Sequence, residues 1–520
     1  MWGTMIELSS TIRRRRTVFG AGLAVAMVLL VDESSVHAQG SCGGFDQAEA
    51  TLRNQGLAVE SSAIRAFYAL HGGPCAWDGA SGEALISFVD NAGDHGLDPA
   101  LFHSAAVRSD RYTGEIRDVL MTDAALKYAG AMTRGLSARP VPQDERAADT
   151  HPEGAAINSL SAALSRGQVG AWFETLQPKS LTYGRLQGAL IAYREIAEDG
   201  GWQTLPGGMR LRPKKKSRLV VQLKRRLAIE GDLSFDDGGP VYDGAVRAAV
   251  LRFQERNGLR ANGKLTPATI ERLNISAGER VAQISLNMER WRVNERDLPA
   301  TRVEVNVPDA TAVLFRDGSP VLKMNAVVGA PGHDTPTLTS TINNVVVNPP
   351  WNIPRSIIQN EIKPILKRNR NYLTQNRMYW SGDQLIQEPG PHNALGRIKF
   401  EFPNRFSVYL HDTPARRLFT DPERAQSHGC VRLERPLDLA EALLQSDPEW
   451  TREAIEDAIR SGDTIRIPVP EPMAVVIGYR TVFVEESGLV QFRPDIYGLD
   501  TQLTLVLSEK VSALKSEPRP

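Results

Sequence analysis

The apolar residues of this chain change their spacing near Thr301, and this change constrains the fold more than any other feature. From about Ser41 to Leu211, apolar residues recur three and four positions apart between breaks that contain Gly, Asp and Pro, which predicts helices. Beyond Thr301, short Val-rich runs alternate apolar and polar residues and end at Gly, Pro or Asn, which is typical of strands. We therefore expect an α+β multidomain protein, with a helical scaffold first and a mainly β domain after it.

A compact unit at residues 213–276 lies between these two parts. Leu219, Leu223 and Leu227 give its first helix an apolar stripe, and Thr266–Pro267 has the residue types of an N-cap and a first helical position. Its sequence motif, FQ…NGL…G…T…LN, resembles that of the three-helix peptidoglycan-binding module of cell-wall enzymes. The resemblance implies that the unit binds the glycan strand, although a plain helical spacer would explain the same helices.

The amino terminus has the pattern of an export signal. Arg13–Arg16 precede an apolar run, Thr17–Val31, that suits a signal peptide and is short for a membrane span. Val36–Ala38 supplies the small residues of a cleavage site. We therefore predict a signal peptide at residues 1–38 and a periplasmic location. An uncleaved inner-membrane anchor is the alternative, and the choice between the general secretory and twin-arginine routes stays open.

The composition fits a soluble globular protein with several domains. Charged residues make up 23% of the 520 residues and hydrophobic residues 42%, and no second apolar run is long enough to span a bilayer. The 61 basic residues balance the 61 acidic ones. This balance gives no argument for binding nucleic acid or a bulk membrane surface, and we expect no nucleic-acid partner.

The chain has three cysteines, and one of them is left without an obvious partner. Cys42 and Cys75 lie close together in the sequence, so oxidation after export could join them in a structural disulfide. Cys430 is then left over. An odd cysteine in an exported protein forms an intermolecular bridge or serves as a reactive thiol, and the neighbours of Cys430 favour the thiol.

Cys430 lies in the segment SHGCVR, and a histidine that could activate it lies 19 residues earlier, at His411, where the strand-like run FSVYL ends. A thiol attacks as the thiolate, and a free cysteine with a pKa of about 8.5 is mostly protonated at neutral pH. A neighbouring imidazole can take the proton and leave a Cys⁻/His⁺ pair. The backbone carbonyl of Asp412 could orient that imidazole.

Two neighbours of Cys430 have the residue types that acyl transfer needs. Gly429 allows a tight turn, which would expose backbone amides, including that of Cys430, as oxyanion donors. Arg432 could neutralise a carboxylate of the substrate. We expect neither a metal nor a cofactor.

Three alternative sites fit this cluster of residues less well. A zinc site from His411, His428 and Cys430 would lack a fourth ligand and the short paired spacings of structural sites. A papain-like hydrolase has its cysteine before its histidine, the reverse of the order here. A sortase-like transpeptidase shares the order but has a much longer spacing and a different motif.

Together these segments carry a family resemblance. HDT at 411–413, followed by SHGCVR at 427–432, resembles the signature of the L,D-transpeptidases with a YkuD-type catalytic domain. Upstream, Thr335–Pro336 and Trp351–Pro354 resemble the large Gram-negative subgroup, which also carries a peptidoglycan-binding module and a capping insertion. Many members have Gly after the catalytic histidine, where this chain has Asp412.

The resemblance implies the reaction. Cys430 would attack the carbonyl that joins the third and fourth residues of a tetrapeptide stem and would expel the terminal D-alanine. The side-chain amine of a diamino acid on a second stem would capture the thioester, giving a 3→3 cross-link. His411 would act as base and then as acid, and His428 would shape the pocket. The same thioester chemistry implies acylation by carbapenem-type β-lactams. Predicted substrate contacts come from Arg432, Ser427, Asp412 and Trp351.

The sequence leaves the acceptor open. Water would make the enzyme an L,D-carboxypeptidase, a free D-amino acid would give exchange, and a protein amine would attach an outer-membrane protein to the wall. A non-catalytic wall-binding scaffold is the alternative from a different class, and the intact pair of His411 and Cys430 argues against it. Expected partners are peptidoglycan stems and glycan strands, with wall synthases or an outer-membrane protein as further candidates.

The segment expected to cap the site is basic. Between Arg355 and Arg377 the sequence has six basic residues and one acidic residue. Such a lid would favour the carboxylates of wall stems, although a solvated helix face explains the same charges equally well. Aromatic residues in and beside this segment could line the groove or form core; they are Trp351, Tyr372, Tyr379 and Trp380.

These observations divide the chain into six segments. They are a signal peptide at 1–38, a helical scaffold domain at 39–212, a peptidoglycan-binding module at 213–276, a connecting helix at 277–300, a catalytic domain at 301–470 with a helical cap inserted at about 350–391, and a C-terminal β segment at 471–520.

Overall fold

The computed structural model describes residues 44–137, 152–209, 211, 214–296 and 298–515. The predicted signal peptide and Cys42 lie outside the described residues, whereas Cys75 is described and is disulfide-bonded. None of the helices in the described ranges has both the length and the apolar character needed to cross a membrane.

The first part of the described chain is helical, as the spacing of its apolar residues predicts. Its helices are α1 (Phe45–Asn54), α2 (Ser61–His71), α3 (Gly79–Asp90), α4 (Ser104–Arg108), α5 (Gly114–Arg134), α6 (Pro152–Ser165), α7 (Val169–Leu176) and α8 (Leu181–Glu198). The long helix α5 is central, because Leu120, Ala124 and Tyr128 on it are fully buried in one apolar cluster with residues of the surrounding helices.

Three helices follow in the next unit: α9 (Arg218–Ile229), α10 (Gly244–Arg256) and α11 (Pro267–Leu273). Leu223 and Leu227 from α9 pack with Phe253 from α10 in a separate small core. The hydroxyl of Thr266 accepts a hydrogen bond from the backbone of Thr269, and Pro267 is the first residue of α11, as the sequence predicts.

A fourth helix, α12 (Ala277–Arg290), connects this unit to the sheet. It begins with a capping box formed by Ser276 and Glu279 and continues as a π-helical turn, Trp291–Glu295. The predicted connecting helix at 277–300 therefore ends as a helix at Glu295. There the buried Glu295 carboxylate lies 2.5 Å from Nε of Arg480, which belongs to the sheet domain.

The β domain is built on a nine-stranded mixed sheet. Its strands are β1 (Arg302–Asn306), β2 (Thr311–Arg316), β3 (Ser319–Gly329), β4 (Leu338–Val347), β8 (Ile398–Glu401), β9 (Leu410–His411), β10 (Ala425–Ser427), β11 (Val431–Leu433) and β12 (Ile465–Gly478). The order is β10-β3-β11-β9-β8-β4-β12-β1-β2, and β2 also pairs with β3, so the sheet closes on itself. Helices α16 (Pro436–Leu444) and α17 (Arg452–Ser461) pack against its core.

The capping insertion has strands as well as helices. It contains β5 (Trp351–Asn352), α13 (Arg355–Ile357), α14 (Lys363–Arg368), α15 (Tyr372–Gln375), β6 (Met378–Ser381) and β7 (Gln384–Gln387). The strands form a small sheet in the order β5-β7-β6. The helical prediction is therefore incomplete, because MYW at 378–380 pairs with β7 instead of extending a helix. The cap has its own apolar core, formed by Ile353, Ile357, Ile358, Ile362 and Leu385.

The end of the chain corrects the predicted C-terminal β segment. Strand β12 runs through residue 470 to Gly478, and the hairpin of β13 (Val482–Val484) and β14 (Val490–Phe492) follows it. The chain then forms the helix α18 (Leu499–Lys515) instead of further strands. Leucine and valine residues three and four positions apart in LDTQLTLVLSEKVSALK explain this helix.

Candidate active site

Two neighbouring strands bring Cys430 and His411 to the same region of the sheet. Strand β9 pairs in parallel with β11, with Leu410 opposite Val431 and His411 opposite Arg432. The backbone N–H of Val431 donates to the carbonyl of Tyr409 at 3.1 Å. Cys430, which directly precedes β11, is therefore next to Tyr409, which directly precedes β9, and His411 lies two residues after Tyr409.

Hydrogen bonds within the SHGC segment fix the loop that carries Cys430. The hydroxyl of Ser427 donates to the carbonyl of Cys430 at 2.6 Å and accepts from the N–H of Gly429 at 3.1 Å. Gly429 has a φ of 109°, a conformation that residues with a side chain rarely adopt. Because the Gly429 amide bonds inside the loop, the predicted oxyanion role rests on the amide of Cys430.

A second layer of hydrogen bonds holds this loop against the end of β3. The Thr335 hydroxyl donates to the carbonyl of Gly429 at 2.8 Å and accepts from the N–H of Gly329 at 2.8 Å. The Tyr497 hydroxyl donates to the carbonyl of Gly329 at 2.6 Å and accepts from the N–H of Thr335 at 3.2 Å. Thr335, which the sequence marks only as part of the family resemblance, thus holds the loop that carries Cys430.

The imidazole of His411 is buried, with 4% of the residue exposed. Its Nδ1 lies 2.5 Å from the carbonyl oxygen of Asp412, which is the orienting contact that the sequence predicts. Burial, and then the nearby guanidinium of Arg432, lower the pKa of His411 to about 3, although hydrogen bonds that the imidazole donates to the backbone of Asp412 and Leu395 oppose the shift. The imidazole is therefore neutral, and when Nδ1 donates to the Asp412 carbonyl the lone pair of the ring lies on Nε2.

The thiol of Cys430 is also neutral at rest. Burial raises its pKa above the ordinary value, against the opposing effects of hydrogen bonds from Tyr409 and the charges of Lys399 and Arg432. The sulfur lies 4.0 Å from the carbonyl oxygen of Ser407, which can accept the thiol proton. These pKa directions favour a neutral pair at rest, so the Cys⁻/His⁺ pair that the sequence suggests would form only during the reaction. Among the described residues, Cys430 and His411 make no direct hydrogen bond.

Tyr409 is a site residue that the sequence-based predictions miss. Its backbone and its side chain both hydrogen bond to Cys430, and its ring lies edge-on to the imidazole of His411, with 5.6 Å between the ring centroids. The ammonium of Lys399 lies 4.4 Å from the centre of the Tyr409 ring. The sequence did contain a signal for Tyr409. In the extended run that leads to His411, residues 409 and 411 are two positions apart, and side chains two apart point to the same face.

Trp351, a predicted substrate-binding residue, lies on β5 of the cap and hydrogen bonds to the side chain of Tyr409. The cap is therefore connected to Cys430 through a short chain of contacts from Trp351 through Tyr409. This position favours the groove-lining role for Trp351 over the alternative role in a core, both of which the sequence leaves open.

His428 contacts the cap at a second point. Its Nε2 lies 2.6 Å from a carboxylate oxygen of Glu361, and the two side chains remain 39% and 45% exposed. The ring of His333 lies on the catalytic-domain side, with 5.0 Å between its centroid and that of His428. In the sequence Glu361 differs from its neighbours only as the one acidic residue of a basic segment, and no pattern there connects it with the loop of His428 and Cys430.

The carboxylate of Asp412 has structural partners. It accepts from the N–H of Arg397 at 2.8 Å and lies 3.3 Å from a guanidinium nitrogen of Arg416. Gly396 has a φ of 63°, and a Cβ there would lie 2.3 Å from the same carboxylate. The predicted contact between the Asp412 side chain and substrate therefore gains no support from its position.

Arg432 is half-buried beside the thiol, and its Nε is buried without a hydrogen-bond partner among the described residues. Burial lowers the pKa of its guanidinium, whereas Cys430 raises it, so the two side chains affect each other directly. The unsatisfied guanidinium nitrogen beside Cys430 could pair with a carboxylate, which is the role that the sequence predicts for Arg432.

The residues considered as zinc ligands do not form a metal site. No group of three or more His, Cys, Asp or Glu side chains within the described ranges is arranged to hold a metal ion. The side chain of His411 is instead engaged with a backbone carbonyl and that of His428 with the cap. The zinc alternative is therefore not supported.

Comparison with protein-family models finds three matches along the chain. Residues 300–467 match the YkuD model, described as "L,D-transpeptidase catalytic domain". Residues 216–273 match a model described as "Putative peptidoglycan binding domain", and residues 62–190 match one described as "Scaffold domain".

Comparison with known proteins gives a curated relative and several solved structures. The chain is 32% identical over 245 residues to a protein of Haemophilus influenzae named "Putative L,D-transpeptidase", a match that covers 43% of this chain and 49% of that protein. The chain thus aligns with about half the length of this curated relative. Two solved structures are similar at 15% identity: L,D-transpeptidase 3 from Mycobacterium tuberculosis (TM-score 0.20, 35% of this chain and 61% of that one) and an L,D-transpeptidase from Stackebrandtia nassauensis (TM-score 0.22, 52% and 96%).

The family matches and the curated relative agree with the architecture described above. The match at 300–467 contains His411, Cys430 and the capping insertion, and the match at 216–273 contains the three short helices α9 to α11. Residues 300–467 of this chain therefore form an L,D-transpeptidase catalytic domain of the YkuD type, preceded by a peptidoglycan-binding domain.

Proposed function

We propose that this chain is an exported L,D-transpeptidase that joins peptidoglycan stems through a thioester on Cys430. The observation that carries the proposal is the placement of Cys430 and His411 on adjacent parallel strands, with the imidazole oriented by the Asp412 carbonyl. The thiol would attack the carbonyl between the third and fourth residues of a tetrapeptide stem. D-Alanine would leave, and the side-chain amine of a second stem would then accept the acyl group as a 3→3 cross-link.

The neutral resting state supports a proton transfer that accompanies attack. Nε2 of His411 takes the thiol proton as the sulfur adds to the carbonyl, so the ion pair forms only when it is needed. The same imidazolium then gives its proton to the departing amine of D-alanine. A base with a pKa of about 3 holds the proton weakly, which favours its prompt transfer to that amine.

Two groups beside the thiol are suited to hold the donor stem. The guanidinium of Arg432 would pair with a stem carboxylate, since its Nε is otherwise unsatisfied. The amide of Cys430 would stabilise the oxyanion of the tetrahedral intermediate. The hydroxyl of Tyr409, which hydrogen bonds to the thiol, would keep the sulfur directed at the carbonyl.

The remaining parts of the proposal concern the setting of the reaction. The peptidoglycan-binding domain would hold the glycan strand, and a periplasmic location would give access to it. Carbapenems would acylate Cys430, because their strained carbonyl offers the thiol the same type of acyl group.

Mass spectrometry of the purified protein with a disaccharide-tetrapeptide tests the function, with the Cys430→Ala variant as the control. We expect a dimer lighter by one D-alanine from the wild type and no dimer from the variant. Tripeptide alone would mean that water is the acceptor, and a D-amino acid added to the mixture reveals exchange. An unchanged tetrapeptide together with a Cys430 that no carbapenem acylates would refute the enzymatic function.

A further inference from the structure

The cap and the nucleophile loop meet at the pair formed by Glu361 and His428. The Glu361 carboxylate lies 2.6 Å from Nε2 of His428, two residues before the nucleophile Cys430. Both side chains keep more than a third of their surface exposed, so a substrate group arriving from solvent can reach either of them. The ring of His333 flanks His428 on its other side.

Glu361 occupies an unusual place in the cap. It belongs to a π-helical turn, Ile358–Ile362, between α13 and α14, and such turns occur often at functional sites because they redirect a side chain from its helical position. Ile358 and Ile362 anchor the turn in the core of the cap, while Glu361 remains exposed. It is the one acidic residue between positions 355 and 377. The same segment has six basic residues, all exposed: Arg355, Lys363, Lys367, Arg368, Arg370 and Arg377.

The second half of the proposed reaction needs a group of this kind. The side-chain amine of a diamino acid resembles that of lysine, with a pKa of about 10, and so arrives as an ammonium. It must lose a proton before it can attack the thioester. His411 is not the group for this first proton, because one imidazole nitrogen holds one proton at a time and Nε2 is needed for the second amine proton. The basic residues on the rest of the cap surface would repel the ammonium, whereas the Glu361 carboxylate would attract it.

We propose that Glu361 binds the ammonium of the acceptor stem and that His428 receives its first proton. This inference rests on the proposed function. The carboxylate that pairs with His428 would accept hydrogen bonds from the ammonium, and the exposed imidazole would pass the proton to water.

The transfer step then balances in atoms and charge. The nitrogen lone pair forms the C–N bond, the C–S bond breaks, and its electron pair returns to the sulfur of Cys430. The second amine proton moves through Nε2 of His411 to that sulfur and restores the neutral thiol. The products are the cross-linked amide, the free enzyme and one proton that leaves through His428.

The test separates acylation from transfer in the full-length protein. Acyl-enzyme formation with a carbapenem is measured by mass spectrometry, and transfer is measured with a tetrapeptide donor and two acceptors. One acceptor is the diamino acid amine, which is an ammonium at neutral pH, and the other is hydroxylamine, which is largely uncharged there. For Glu361→Gln we expect acylation and transfer to hydroxylamine within about twofold of wild type, and transfer to the ammonium acceptor lower by about tenfold or more.

Two further variants make the result decisive. Glu361→Asp should recover part of the transfer to the ammonium acceptor, and Asp383→Asn, which removes an exposed carboxylate elsewhere on the cap, should behave as wild type. Equal losses with both acceptors, or a loss of acylation, would show that Glu361 only holds the cap in place and would overturn the inference. Unchanged transfer to the ammonium acceptor would overturn it as well. A wild-type protein that forms no acyl-enzyme would refute the proposed function itself.

Discussion

The Nδ1 atom of His411 lies 2.5 Å from the carbonyl oxygen of Asp412, so the backbone of the next residue orients the general base proposed for this site. This relationship separates two roles that Asp412 could have had. Its carbonyl sets the tautomer of the imidazole, whereas its carboxylate binds the N–H of Arg397 and keeps the neighbouring loop in place. A residue that follows the base in sequence is therefore needed for its backbone more than for its side chain.

Replacing Asp412 with alanine should lower stability and leave catalysis nearly intact. The variant loses the hydrogen bond to the Arg397 amide but keeps the backbone carbonyl that orients His411. We expect the free energy of unfolding to fall by about 1–3 kcal/mol, measured by urea denaturation, with kcat/KM within a few-fold of wild type. His411→Ala, the contrasting variant, should lose about 10²-fold or more in acylation rate. A loss of that size in Asp412→Ala would assign the carboxylate a direct role.

The free energy of unfolding should decrease as the pH is lowered from neutrality to pH 4, because His411 is buried in its neutral form. Its pKa is about 3 in the folded protein and about 6.5 when unfolded, so the unfolded state binds more protons in this window. The contribution is complete above pH 6.5 and is lost as the pH falls towards 3. Linkage predicts a loss on the order of 3 kcal/mol from pH 7 to pH 4 for this residue.

The comparison of wild type with His411→Gln isolates that contribution. His95, whose pKa burial lowers to about 4, contributes a similar loss in both proteins and therefore cancels. We expect the difference in unfolding free energy between the two proteins to shrink as the pH falls. Parallel pH profiles would contradict the neutral, buried state of His411.

Residues that are close in sequence or share a strand could be predicted, and residues brought together by the cap could not. The Asp412 carbonyl, the turn at Gly429 and the N-cap at Thr266 follow from local rules of backbone conformation and hydrogen bonding. The adjacency of His411 and Cys430 needed in addition a pairing of two short strands, for which only the motif gave a signal.

Contacts made by the cap escape this kind of reasoning. Whether Glu361 meets His428 depends on how an inserted segment packs on the sheet, which no periodicity encodes. The net charge of the cap segment was also a poor guide to its contacts. The segment is basic as a whole, yet its one carboxylate, that of Glu361, contacts the loop that carries Cys430. The protonation states also required the structure, since burial raises the pKa of Cys430 and lowers that of His411.

Alkylation of Cys430 should be slow at neutral pH and should accelerate as the pH rises past the ordinary thiol range. Burial raises the pKa of this thiol, and the neutral imidazole of His411 supplies no positive charge to oppose the shift. We expect iodoacetamide to modify Cys430 more slowly than free cysteine at pH 7, measured by intact-mass spectrometry, while a carbapenem still acylates it. Faster alkylation than free cysteine would show that a thiolate is already present at rest.

Removal of the Tyr409 hydroxyl should slow acylation without unfolding the domain. In Tyr409→Phe the sulfur loses one hydrogen-bond partner and Trp351 loses the acceptor of its N–H. We expect the acylation rate to fall by about tenfold, because a misdirected nucleophile reaches the carbonyl less often. Trp351→Phe removes only the contact from the cap and should fall less. Equal losses of acylation rate in Tyr409→Phe and Trp351→Phe would show that Tyr409 acts by holding the cap through Trp351.

Arg493 should make the peptidoglycan-binding domain and the catalytic domain unfold as one cooperative unit. Its Nε lies 2.5 Å from a carboxylate oxygen of Asp309, and its Nη1 donates at 2.9 Å to the carbonyl of Arg256, the last residue of α10. Burial alone would raise the pKa of Asp309, but the Arg493 guanidinium holds it below its usual value, so the pair is charged. Arg493→Met should therefore cost about 3–5 kcal/mol, because it leaves a buried carboxylate unpaired.

Differential scanning calorimetry should then resolve two unfolding transitions in Arg493→Met where the wild type has one, with the small domain melting first. The matched control is Arg466→Met, which breaks an exposed pair with Glu401 at 2.9 Å and should cost less than about 1 kcal/mol. A single transition in Arg493→Met, shifted no more than in the control, would mean that the two domains unfold together without this arginine.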